Sequence, residues 1–328
     1  LNYHLEYLMR ISVVFTLLLS LCAGTAPADT ITLPSGITEV RDIQYVPGNN
    51  SAQRLDLYLP AQPSSKPLPI VVWIHGGAWE GGSKQWCNSI GLVGQGYAAA
   101  SVEYRFSQEA VFPAQIEDCQ AAIRWLRANC KTYNIDPKEI GVWGASAGGH
   151  LVALLGTSGG KNAFPKIGDN DHQSDRVQAV CDEYGPTDFN TVAAQASAGP
   201  VKNIFDFGHG DPASALIGIP LGSDPVKAAA VSPIHYVTSD NPPFLILQGT
   251  GDTLVPSAQS TEFYDALKHA KVKVVLQEFP NAGHGDPVID QNPAVQQMVK
   301  TFFDICLRKQ MLPLLPLPES EVTAKSRP

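Results

Sequence analysis

Ile140-Gly141-Val142-Trp143-Gly144-Ala145-Ser146-Ala147-Gly148-Gly149-His150-Leu151-Val152-Ala153-Leu154-Leu155 decides how the rest of the 328-residue chain is read. Its first four residues are strand-like and its last six helical, so the Gly-x-Ser-x-Gly between them falls where a strand turns directly into a helix. Flanking glycines allow that sharp turn, and the turn lifts the serine hydroxyl clear of the sheet. A second match, Gly156-Thr157-Ser158-Gly159-Gly160, follows the helix instead of a strand. Glycine there is an ordinary helix C-terminal cap, and Ser158 reads as a loop serine.

Outward from this elbow, strands are read at 43–48, 54–59, 69–75, 97–104, 139–145, 177–184, 243–249 and 272–279. Runs such as Ile70-Val71-Val72-Trp73-Ile74 and Phe244-Leu245-Ile246-Leu247 are continuously apolar, as expected of central strands buried on both faces. After Pro113, apolar residues at Ile116, Cys119, Ile123, Leu126, Cys130 and Tyr133 are spaced three and four apart, which predicts one helix ending near Asn134. Further helices are expected at 84–94, 147–156, 256–269 and 293–308. Strands first, then strands alternating with helices, predict an α/β fold with a mostly parallel eight-stranded sheet flanked by helices. The stretch 186–241 is rich in Gly, Pro and Ala, lacks strong periodicity, and reads as an excursion over the sheet edge with a small lid or none.

A serine hydroxyl is a poor nucleophile until an imidazole takes its proton, and the imidazole needs a carboxylate to fix its tautomer. Ser146 therefore requires a histidine and an acid at the ends of other strands. Asp252 follows one apolar strand in Gln248-Gly249-Thr250-Gly251-Asp252, and His284 follows the last in Asn281-Ala282-Gly283-His284-Gly285. Ser, Asp, His is the chain order that goes with this kind of elbow. Asp286 is the one close substitute for Asp252. Of the other histidines, His150 and His269 fall in predicted helices, and His172, His209 and His235 in loops before the last two strands. His75-Gly76-Gly77-Ala78-Trp79 ends the most apolar strand, where glycine lets backbone N–H groups approach a ligand. The N–H of Gly76 or Gly77, with that of Ala147, would hold the negative oxygen of a tetrahedral intermediate. His75 itself reads as structural.

Hydrophobic residues make up 44% and charged residues 16%, which fits a loop-rich globular chain. With a net charge of -8 and no block of Lys or Arg, nothing in the sequence offers a footprint for nucleic acid or an anionic membrane. Met9-Arg10, the eleven-residue apolar run Ile11 to Leu21 and Ala26-Pro27-Ala28 predict a signal peptide over 1–28, cleaved after Ala28, and a secreted or periplasmic protein. Residues 1–8 would then precede the natural start. The apolar run is too short for stable membrane insertion, and Leu21 argues against a lipid on Cys22. The catalytic domain would span 29–310, with a Pro-rich tail over 311–328. Cys87, Cys119, Cys130, Cys181 and Cys306 remain after cleavage, an odd number, so at least one stays free. Cys119 and Cys130, eleven apart on one predicted helix, lie roughly 16 Å from each other and cannot pair. No spacing suits zinc. Asp169, Asp171 and Asp175 lack the EF-hand pattern and read as a solvated loop, so no metal or cofactor is expected.

The combination of His75-Gly76-Gly77-Ala78-Trp79, Tyr104-Arg105, Phe112-Pro113-Ala114, Gly144-Ala145-Ser146-Ala147-Gly148-Gly149 and Gly251-Asp252 resembles the esterase and lipase families around hormone-sensitive lipase. It is most similar to the bacterial branch that contains feruloyl and acetyl esterases of the BD-FAE type, over residues 40–308. The resemblance implies the α/β-hydrolase fold, hydrolysis of carboxylic esters by Ser146, Asp252 and His284, and an oxyanion hole from Gly76, Gly77 and Ala147. It also implies a structural pairing of Arg105 with Asp118 beneath the site. The long N-terminal cap helices of hormone-sensitive lipase relatives have no counterpart here, so that branch's substrate preferences do not carry over. Small acyl or compact aromatic esters, free or on a polysaccharide, are the expected substrates, with Phe189, Phe205 and Phe207 as candidate walls of a short slot. An amidase of the kynurenine formamidase kind, a lipase and a non-catalytic binding module are the alternatives.

Overall fold

The computed structural model describes residues 33–198, 210–313, 316–318 and 321. The expected signal segment with Ala28 and Cys22, together with Phe205, Phe207, His209 and much of the tail, lies outside the described residues. Gly36 opens a unit that runs to the C-terminus and carries every element below.

Eight strands form one sheet among the described residues: β1 Ile37–Gln44, β2 Arg54–Pro60, β3 Leu68–Ile74, β4 Ala98–Val102, β5 Ile135–Ala145, β6 Ala179–Glu183, β7 Phe244–Gly249 and β8 Val274–Phe279. Their order is β1-β2-β4-β3-β5-β6-β7-β8. The pairs β1–β2 and β2–β4 are antiparallel, and every later pair is parallel. Parallel strands must be covered on both faces by the helices that connect them. Those helices include α1 Ala114–Ala128, α2 Ala147–Ser158, α6 Ala258–His269 and α8 Pro293–Leu307. Every residue of α2 is buried, so it is apolar all round instead of striped. Ile70, Val72, Ile74 and Val142 join Leu151, Val152 and Leu155 in one core, while Trp73 and Trp143 meet edge to face at 5.4 Å. Each fully buried aliphatic side chain contributes about 1.5–3 kcal/mol.

Register is what positions the site. Ile74 of β3 pairs with Gly144 of β5, Ala145 with Glu183 of β6, Glu183 with Leu247 of β7, and Gly249 with Phe279 of β8. Five parallel strands thus finish nearly level, and the loops leaving them meet along one edge, where ligands bind in open α/β sheets.

Several expectations need correction. The first strand is Ile37–Gln44, not 43–48: as an edge strand half open to solvent it has no apolar run, and a bulge between Val40 and Ile43 interrupts it. Tyr45 and Val46 are core residues that lie beyond its end. The helix expected at 84–94 is only a 3₁₀ turn, Asn88–Leu92, bounded by extended backbone at Cys87 (ψ 91°) and Val93 (ψ 136°). The helix after Pro113 stops at Ala128, where the Asn129 amide caps the Trp125 carbonyl at 2.9 Å. Cys130 and Tyr133 still pack on the core from the following turn, which imitates helical spacing. Ser158 is not a loop serine but the buried last residue of α2, donating to Leu154 O at 2.6 Å. Asp175 is likewise not solvated: it is buried, accepts from Gly160 N at 2.6 Å and faces Arg124 at 3.3 Å, whereas Asp169 and Asp171 are exposed.

Within 186–241 the described residues form short helices: α3 Val192–Ala198, α4 Pro212–Ile217 and α5 Pro225–Val231. Asp211 and Asp224 cap the last two, each accepting from two backbone N–H groups ahead of a Pro at the first helical position. The five cysteines among the described residues are all free thiols. No described helix is long and apolar enough to cross a membrane.

Candidate active site

At the junction of β5 and α2, Ser146 takes φ 57° and ψ -120°, a conformation an L-residue holds only when its surroundings enforce it. The surroundings here are backbone. A Cβ on Gly144 would lie 2.5 Å from Gly148 O and 2.8 Å from Ile74 O, and one on Gly148 would run into the Ile74 carbonyl. Only glycine at both positions lets the chain fold back this tightly. Ser146 N donates to Glu183 O at 2.8 Å, which ties the turn to the end of β6.

Ser146 Oγ lies 2.8 Å from His284 Nε2, and His284 Nδ1 lies 2.7 Å from Asp252 Oδ2. With Nδ1–H donated to a carboxylate, Nε2 is left as the acceptor for the serine hydroxyl. Asp252 is buried. Its Oδ1 accepts from Leu254 N at 2.8 Å and Val255 N at 2.9 Å, and its Oδ2 takes a further bond from Gln248 Nε2 at 3.3 Å. The Gln248 amide is itself held by Ser260, whose hydroxyl donates to Oε1 at 2.8 Å. The loops after β7 and β8 are stitched together by Thr250 N to Phe279 O at 3.0 Å, Gly251 N to Ala282 O at 2.9 Å and Asn281 N to Thr250 Oγ1 at 3.0 Å. Acid and imidazole are therefore fixed relative to each other before either reaches Ser146. Asp286 does not meet His284; it caps α7, Pro287–Asp290, through Val288 N at 3.0 Å.

The Gly76 backbone lies against the elbow: a Cβ there would be 2.8 Å from Ala145 O and 3.2 Å from Ser146 Cβ. Gly77 has φ 115°, open only to glycine. His75 Nδ1 lies 2.7 Å from Gly76 O and Nε2 2.9 Å from Glu103 Oε1, both of them acceptors for ring N–H, and the ring stacks on Tyr104 at 4.5 Å. Since C=O and N–H point opposite ways across a planar trans peptide, anchoring Gly76 O turns Gly77 N–H away from His75. Ala147 N–H belongs to the first turn of α2 and has no intrahelical acceptor. Among the described residues, none of the Gly76, Gly77 and Ala147 N–H groups is committed to a loop or turn carbonyl.

Residues distant in the chain support this geometry. Trp79 Nε1–H donates to His150 Nδ1 at 3.1 Å and His150 Nε2–H donates to Val231 O at 2.7 Å, which links the glycine loop, α2 and α5. Burial pushes the His150 imidazole down to about 4, so it is a neutral crosslink. Phe189 is buried against both rings, 5.9 Å from Trp79 and 5.3 Å from His150, and is core packing instead of an open slot wall. Arg105 pairs with Asp118 at 2.8 Å, as the resemblance implied, and Gln53 donates to the other Asp118 oxygen at 2.7 Å. Tyr184 and Asp290 were not legible in the sequence. The Tyr184 ring lies 4.7 Å from the His284 ring, and its hydroxyl donates to Asp290 Oδ1 at 2.8 Å.

Comparison with known proteins places the chain among esterases of the α/β-hydrolase fold. The BD-FAE family profile matches residues 55–267, and that of the PhoPQ-activated pathogenicity-related proteins matches 226–325. Esterase LipC of Mycobacterium tuberculosis is 31% identical over 248 residues, 74% of this chain and 59% of LipC. Esterase LipQ of the same organism is 32% identical over 252 residues, 75% of this chain and 57% of LipQ. The chain thus spans under three fifths of these two esterases. Among solved structures, a truncated carbohydrate esterase from gut microbiota superposes with a TM-score of 0.72 at 28% identity, covering 83% of this chain and 96% of that one. An acetyl ester-xyloside bifunctional hydrolase from Caldicellulosiruptor lactoaceticus gives 0.64 at 27%, covering 85% and 97%.

Proposed function

The chain belongs to the BD-FAE family of the α/β-hydrolase fold, and from that premise we propose that it is a serine hydrolase of carboxylic esters. The observation that carries the reading is the unbroken relay of 2.8 Å from Ser146 to His284 and 2.7 Å from His284 to Asp252. Ser146 Oγ attacks the ester carbonyl as His284 Nε2 takes its proton, and Asp252 holds the imidazolium that results. The carbonyl oxygen, now negative, is received by N–H groups of Gly76, Gly77 and Ala147, each worth about 3 kcal/mol in the transition state. Proton return from His284 expels the alcohol and leaves an acyl-Ser146, which water, activated by the same imidazole, hydrolyses.

The substrates we propose are short-acyl or compact aromatic esters, acetyl and feruloyl groups on plant polysaccharide among them. The two carbohydrate-directed structural neighbours favour this, and so do the short helices α3, α4 and α5, none of which among the described residues is long enough to form an apolar lid over a fatty chain. Export behind the 1–28 segment would bring the enzyme to polymer-borne esters. Relative kcat/KM on p-nitrophenyl acetate, p-nitrophenyl decanoate, methyl ferulate, acetylated xylan and an acetyl anilide tests the reading. Acetyl or feruloyl esters are expected to exceed the decanoate and the anilide at least tenfold, the gap that one well-buried apolar group can produce. Faster hydrolysis of decanoate would identify a lipase, and faster cleavage of the anilide an amidase.

A further inference from the structure

On the opposite edge of the sheet, a cavity of about 790 Å³ opens where β7 and β8 begin. Asp252 and His284 follow the far ends of these same strands, six residues each, so the cavity is on the order of 20 Å from them. Its floor is apolar: half-buried Val274 and Ile305 and exposed Leu312 line it, over the buried Phe244, Val272 and Phe302. Its rim carries four lysines, Lys268, Lys271, Lys273 and Lys309, in a chain whose net charge is -8. Lys309 is engaged, donating to Glu139 at 3.0 Å and to Cys306 O at 2.5 Å. Among the described residues, Lys268, Lys271 and Lys273 pair with no carboxylate. Helices α6 and α8 both end here, each contributing about half a negative charge from its last carbonyls. Together with Glu139 they offset about two of the four ammonium charges, which leaves a positive rim over a greasy floor.

We propose that this cavity binds an amphiphilic carboxylate, its apolar body against Val274, Ile305 and Leu312 and its anionic head among Lys268, Lys271 and Lys273. A volume near 790 Å³ is that of a small-molecule site. Neither half of the cavity explains the ligand alone: a neutral apolar molecule would leave the ammonium groups unpaired, and a small hydrophilic anion would leave the floor uncovered. The assignment is independent of the chemistry at Ser146.

Decanoate is the probe, with decanol and acetate as controls, measured by calorimetry on the full chain and on the K268Q/K271Q/K273Q variant. These side chains are exposed, so the variant keeps the core intact. One decanoate should bind per chain, with Kd weakened at least tenfold in the variant and for either control. Hydrogen exchange should slow at 268–275 and 302–309 when decanoate binds. Absence of binding, an unchanged Kd in the variant, or protection confined to the loops around Ser146 would overturn the proposal. So would variant-sensitive adsorption to anionic vesicles without uptake of free decanoate.

Discussion

Asp252 shows how much one oxygen can decide. Its Oδ1 is occupied by two backbone donors, so only Oδ2 is available to hold His284 Nδ1–H. In Asp252→Asn, the amide oxygen would keep those backbone donors and its NH₂ would face Nδ1. The imidazole would then place its proton on Nε2, where it can no longer accept from Ser146. Turnover of p-nitrophenyl acetate should fall by roughly 10⁴-fold, with KM moving far less, because what is lost is transition-state stabilisation and not substrate binding. A loss under tenfold in steady-state kinetics would mean that Asp252 does not set the tautomer. Ser146, Asp252 and His284 were legible in the sequence because each sits in a short glycine-bearing segment at a strand end, and local chemistry marks such segments. Tyr184, Asp290, Gln248 and Glu103 were not, since their contacts are made across the fold by ordinary-looking residues.

Among the elements, β6 carries an unusual load. It ends in Asp182-Glu183, both buried, with Asp182 Oδ2 and both Glu183 carboxyl oxygens lacking a hydrogen-bond partner among the described residues. Burial pushes Asp182 up to about 7 and Glu183 well above the usual carboxylate range. A folded-state value above the unfolded one means that the folded form holds the proton more tightly. The stability this contributes is fully present below the unfolded value of 3.8 and is lost as pH rises through about 7. Asp182→Asn keeps the acceptor for Gly185 N, which lies 3.0 Å away, and removes the titration. Between pH 5 and 8 the wild type should therefore lose about 3 kcal/mol relative to the variant, two pH units at about 1.4 each. Denaturant melts at the two pH values check this, and parallel losses in both proteins would contradict it. Element boundaries were the least legible feature. β1 is amphipathic and edge-exposed, so its pattern is weak, and the end of α1 is blurred because Cys130 and Tyr133 keep packing after the helix has stopped. Ser158 was misplaced for a related reason: Gly159 does cap α2, but the serine before it lies inside the cap, not beyond it.

Across the whole molecule, register and helix placement turn separate motifs into one site. Level strand ends bring together residues from 76 to 284, and the same sheet isolates the lysine-rimmed cavity at its other edge. Two Gly-x-Ser-x-Gly matches in one chain then give the most direct test of the proposed nucleophile. Ser146 is strained, partly accessible and 2.8 Å from His284, whereas Ser158 is fully buried and bonded to Leu154 O. The decisive measurement is covalent labelling with a fluorophosphonate, read by peptide mass, on the wild type, Ser146→Ala and Ser158→Ala. One label per chain on Ser146 is predicted, retained with esterase activity in Ser158→Ala and abolished with activity in Ser146→Ala. Labelling that survives in Ser146→Ala, or disappears in a folded Ser158→Ala protein, would contradict Ser146 as the nucleophile.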